Sequence, residues 1–118
     1  MTAQVQNAGV ARITAALLTL SWWMGWGTGN SAAKSANDLV TAAPEGRSVA
    51  ALSQGTGLVT NDSLVLTGTI TATAPHAISE VGAFDAASGG NLDLYSDFAV
   101  INLSTGDSIN YTLNLRFS

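Results

Sequence analysis

Ser108-Ile109-Asn110-Tyr111-Thr112-Leu113-Asn114-Leu115-Arg116-Phe117 is the stretch that decides the fold class. Ile109, Tyr111, Leu113, Leu115 and Phe117 fall on one side of an extended chain. Ser108, Asn110, Thr112, Asn114 and Arg116 fall on the other. Side chains alternate across a strand with period two, so this pattern predicts a strand with one buried face. No proline interrupts it. Leu113 is expected at its centre, with truncation to alanine removing about 2–5 kcal/mol if the site is fully buried.

Reading back from this strand, residues 104–107 (Ser-Thr-Gly-Asp) predict a turn, and residues 92–103 predict one or two more strands. Residues 85–91 (Asp-Ala-Ala-Ser-Gly-Gly-Asn) read as a hairpin connection after a strand over 77–84. Residues 63–73 alternate again. Leu64, Leu66, Gly68, Ile70 and Ala72 point one way; Val65 and Thr67, Thr69, Thr71 and Thr73 point the other. Residues 48–54 form a further candidate strand. Short strands separated by turns argue for a mainly β fold, an antiparallel sandwich or barrel.

The first part of the chain differs. Val10, Ile13, Leu17 and Leu20 recur at helical spacing, which predicts one helix over 7–20 with Asn7 as its N-cap. Trp22, Trp23 and Trp26 then predict an aromatic strand that ends in the turn Gly25-x-Gly27-x-Gly29. Residues 31–46 read as a loop anchored by Leu39 and Val40. Residues 1–30 are therefore read as an assembly segment, and residues 31–118 as an antiparallel β domain.

Composition narrows the function classes. The chain has 118 residues, 47% apolar and only 10% charged, against about a quarter charged in typical soluble domains. That suits a subunit whose surface is largely covered. The net charge is −4, and the only permanent cations are Arg12, Lys34, Arg47 and Arg116. Nucleic acid and anionic membrane partners are not expected, because both need basic patches. Residues 10–26 are apolar behind Arg12, as in a leader peptide. Asn7, Gly9 and the tryptophans disrupt that pattern, and the run is short for a membrane span.

There is no cysteine and one histidine, His76, which is expected in a turn. No catalytic triad, nucleotide loop or metal-ligand spacing is present. No enzymatic activity, cofactor or metal is expected. Asp85, Asp93 and Asp97 flank one hairpin without the density of a calcium loop. The tryptophans carry the strongest individual signal. Adjacent residues of a strand face opposite sides, so Trp22 and Trp23 cannot share one core. Val10, Ile13, Leu17, Leu20, Trp22, Trp23 and Trp26 are accordingly the expected partner interface, and residues 1–26 the expected contact segment.

Three stretches together resemble small structural proteins of tailed bacteriophages. Residues 7–17, Asn-Ala-Gly-Val-Ala-Arg-Ile-Thr-Ala-Ala-Leu, look like the opening helix of tail-collar-type fibre domains. Residues 78–90, Ile-Ser-Glu-Val-Gly-Ala-Phe-Asp-Ala-Ala-Ser-Gly-Gly, are similar to a later segment of that family. The ending around Gly106-Asp107-Ser108 resembles a pattern of small virion proteins. In this setting Glu80 is expected to accept hydrogen bonds near a turn, Gly82 to permit close packing, and Phe84 to fill the core. The resemblance implies a virion location and a capsid cement (decoration) protein that binds the major capsid protein and bridges capsomers. A small tail, collar or fibre adaptor, or an exported cellular binding domain, are the alternatives. It also implies a homo-oligomer, with a trimer favoured.

Overall fold

The computed structural model describes residues 1–117 and is mainly β, with two antiparallel sheets. The elements are α1 (Asn7–Leu17), β1 (Trp23–Gly27), β2 (Ser48–Val49), β3 (Ala51–Gly55), β4 (Ser63–Thr71), β5 (His76–Phe84), β6 (Leu92–Leu103) and β7 (Ser108–Arg116). One sheet has the order β2-β1-β5-β6 and the other β3-β4-β7. The chain groups into two units. One comprises Met1–Leu20, Ala51–Thr67 and the chain from Tyr111 onward; the other comprises Ser21–Ala50 and Gly68–Asn110. This grouping does not divide the chain at residue 30: α1 and β1 fall in different units, and β1 is a strand of the four-stranded sheet.

In the first unit the core is formed by Val10, Leu64, Leu66 and Tyr111. The helix ends three residues before the expected Leu20. Thr19 turns back on Ala16, donating both its N–H and its hydroxyl to that carbonyl, and the Leu20 N–H reaches the Leu17 carbonyl. These tight bonds replace a further α-turn. Its N-cap is Gln6, not Asn7, and makes no side-chain capping bond. The buried stripe is Val10 and Thr14. The Thr14 hydroxyl lies 2.7 Å from the Asn61 carbonyl oxygen and accepts from Gln54 Nε2 at 2.8 Å, which satisfies the one polar group on the stripe. Asp62 is fully buried and accepts from the backbone N–H groups of Gly57, Leu58 and Val59, folding the β3–β4 connection around its carboxylate. Leu113 is only half-buried, so its truncation falls below the fully buried range set out above.

In the second unit the core is Trp22, Met24, Trp26, Leu39, Ala50, Ile70, Ala72, Ile78, Val81, Ala83 and Phe84. Residues 48–54 are two strands in different sheets, split at the buried Ala50, whose N–H donates to the Trp22 carbonyl. β1 and β5 run antiparallel in the register Trp23↔Phe84, Gly25↔Gly82 and Gly27↔Glu80. Residues paired this way share a face of the sheet. Glycines therefore line most of one face of β1, while Met24 and Trp26 share the other face with Ala83 and Val81. Residues 92–103 form one strand, β6, which pairs with β5 through a hairpin whose Gly89 and Gly90 have φ of 62° and 68°. Left-handed backbone of this kind favours glycine.

Candidate functional site

The buried carboxylate of the second unit is Glu80, midway along β5 and fully buried. Gly27 is its neighbour across the sheet. A side chain there would collide with both the Thr41 carbonyl and the Glu80 carboxylate. Without one, the carboxylate lies across β1 and reaches the chain on its far side. Glu80 Oε2 accepts from Gly29 N at 3.0 Å and Thr41 N at 2.9 Å; Oε1 accepts from Val40 N and the Tyr95 hydroxyl, both at 3.0 Å. The two ends of the 30–39 loop are thus held by one side chain. Leu39, buried, packs into the space left by Gly82. Burial alone would raise the Glu80 pKa, but the N–H donors of Thr41, Val40 and Gly29 and the Tyr95 hydroxyl outweigh it and hold it below the ordinary value.

Glu45 makes a second clamp. Its Oε1 accepts from Trp26 Nε1 at 3.0 Å, and its Oε2 meets Thr73 N, Thr73 Oγ1 and His76 Nε2 at 3.1, 2.8 and 2.9 Å. Burial raises its pKa, and the Thr73 and Trp26 bonds more than offset this, lowering it to about 2. His76, expected in a turn, opens β5 and faces this carboxylate. Arg47 makes a third clamp. Its guanidinium lies 3.4 Å from the Phe84 ring centroid and donates to the carbonyls of Ala86 and Gly89, fixing the β5–β6 hairpin. Asp85 binds the N–H and side-chain amide of Asn91 in the same hairpin.

These depressed carboxylates fix the sign of a pH effect. A folded-state pKa below the unfolded value gives stability that is present above the unfolded pKa and lost as pH falls through the folded one. For Glu45 the window runs from about 4.5 down to about 2, and Glu80 acts in the same direction. Denaturant midpoints should therefore fall as pH drops below about 4.5, with a shallower fall in Glu45→Gln.

The residues expected to contact a partner are placed as follows. Val10, Trp22 and Trp26 are 3%, 5% and 1% exposed, buried by the chain itself, and have no surface to offer. Of the adjacent tryptophans, Trp22 is buried just before β1, and Trp23 remains only half-buried as its first residue. Ile13, Leu17 and Trp23 are half-buried, and Leu20 is 53% exposed. Val40, expected as an anchor, is exposed.

Two open clefts belong to the second unit. One, about 390 Å³, lies between Ala32–Ala36 and Leu92–Tyr95; the other, about 190 Å³, is lined by Leu39, Glu45, Arg47, Phe84 and Gly89 among others. Neither gathers a nucleophile with a base. Among the described residues no three His, Cys, Asp or Glu side chains converge as a metal-ligand set, and no helix is long and apolar enough to cross a membrane. No protein-family model matches the chain, and no curated protein matches it.

Proposed function

We propose that this chain is a non-enzymatic virion structural protein, a capsid cement protein that self-associates and binds the outer shell. The observation that carries this reading is the use made of the acids in the second unit. Glu80 and Glu45 are turned inward and spend their hydrogen-bonding capacity on backbone and ring N–H groups. A carboxylate held this way anchors loops and is a poor proton acceptor near neutral pH. The same groups that would serve chemistry elsewhere here make loops rigid, which is what a presenting surface requires. Low charge and the phage-like motifs around residues 7–17 and 78–90 add the shell as the surface presented to.

Copy number in purified particles tests it. A cement protein occupies symmetry-related shell positions, on the order of hundreds per particle. A handful of copies would point to a tail or collar adaptor. No particle association at all would leave the exported binding domain.

A further inference from the structure

The 30–39 loop is held firmly at both ends and loosely between them. On the incoming side Ser79 Oγ donates to the Gly29 carbonyl at 2.7 Å, the Gly29 N–H reaches Glu80, and Ser31 N donates to Asp97 Oδ2 at 2.9 Å. On the outgoing side Leu39 is buried, and the N–H groups of Val40 and Thr41 reach Glu80. Residues 32–38 between these anchors belong to no helix or strand. Among the described residues their one backbone-to-backbone bond is Ala36 N to the Ala33 carbonyl at 2.9 Å, which closes a turn with Lys34 and Ser35 at its tip. Ala33, Lys34 and Ser35 are all exposed. The cleft of about 390 Å³ separates this turn from Leu92–Tyr95, so lifting it gives up little packing.

An endopeptidase needs several residues drawn out into extended form, and exposed loop tips supply them at the lowest cost. Which bond is cut then depends on the side chain the tip carries. The chain has four basic residues, and only Lys34 sits on such a tip. Arg12 lies inside α1, beside the half-buried Ile13 and the fully buried Thr14. Arg47 is fixed by the Phe84 ring and by the Ala86 and Gly89 carbonyls, and β2 starts at the next residue. Arg116 closes β7, and the Phe117 N–H after it donates to the Asp62 carbonyl.

We propose that the Lys34–Ser35 bond is a processing site for a trypsin-like endopeptidase, and that the cut chain remains one folded molecule in two pieces. Water adds to the Lys34 carbonyl carbon and the C–N bond to Ser35 breaks. Lys34 then ends as a carboxylate and Ser35 begins as an ammonium group. The product holds because the anchors straddle the cut. Residues 1–34 keep β1, which pairs with β2 and β5 of the other piece. The Thr28 N–H still meets the Thr41 carbonyl, and Glu80 still joins Gly29 to Val40 and Thr41. Thr14 on α1 keeps its bonds to Asn61 and Gln54. The cut turns the closed loop into two short free ends beside the cleft and leaves the sheet intact. This site does not depend on the proposed function.

The test is limited trypsin digestion of the native full chain, with Lys34→Gln as control, read by intact mass and by native mass spectrometry. Wild type should give fragments 1–34 and 35–118, with the cut after Lys34 at least about tenfold faster than any after Arg12, Arg47 or Arg116. The two fragments should travel together in native buffer with unchanged far-UV dichroism, and separate in urea. Lys34→Gln, which alters only the exposed tip, should stay intact over the same digestion. A first cut at any arginine, a wild type as resistant as Lys34→Gln, or fragments that part in native buffer overturns the proposal.

Discussion

Glu80→Ala should destabilise the protein by about 3–5 kcal/mol, because it takes the shared acceptor from three backbone N–H groups that bond a fully buried carboxylate. These are the N–H groups of Gly29, Val40 and Thr41. Glu80→Gln should lose roughly half as much. The reason lies in how the donors are shared. Oε2 serves two N–H groups, whereas Oε1 serves one N–H and the Tyr95 hydroxyl. A hydroxyl can reverse its role and accept. The amide will therefore put its oxygen at the Oε2 position and its NH₂ at Oε1, stranding only the Val40 N–H. Urea midpoints measure the loss. Hydrogen exchange should show residues 29–41 losing protection first, while β5 retains it. Equal stability of wild type and Glu80→Ala would show that the clamp contributes nothing.

Trp26→Ala should be as severe, about 3–5 kcal/mol. The side chain is 1% exposed and is the largest fully buried one in the chain. Its removal opens a cavity beside Val81 and takes one donor from Glu45. Trp26→Phe should recover much of the packing and none of the hydrogen bond. Trp23→Ala, at a half-buried position, should lose much less. Equilibrium unfolding of the three variants separates these cases. If Trp23 proved the more costly residue, the assignment of faces on β1 would be reversed.

The strands at 63–71 and 108–116 were legible because each has one wet face, and alternation is the trace of that asymmetry. β5 left a fainter trace. Seven consecutive residues, Ile78–Phe84, are buried, and burial on both faces erases period two. Its Glu80 was readable as a hydrogen-bond acceptor near a turn, and three of its four donors were not, since they are backbone groups of a loop 39 to 51 residues distant. Gly25-x-Gly27-x-Gly29 read as a turn signal. Its two-residue spacing also marks a strand face without side chains, which is the property the structure uses. Glu45 was hidden in Pro44-Glu45-Gly46, whose turn-forming composition gives no hint that its carboxylate reaches Trp26, Thr73 and His76. Residues 48–54 read as one strand because alternation continues through Ala50, and only the choice between two sheets breaks it.

The clamp at Glu80 also sets an order of events. Its carboxylate reaches Thr41 only by crossing β1, so β1 and β5 must already lie side by side before the loop can close. Those strands are distant in the chain, and pairing them is the slow, entropy-limited part of assembly. Loop closure comes after that barrier. An interaction formed late leaves the folding rate alone and governs the rate of escape. Glu80 therefore acts as a kinetic lock: removing it should leave refolding at its native rate and hasten unfolding.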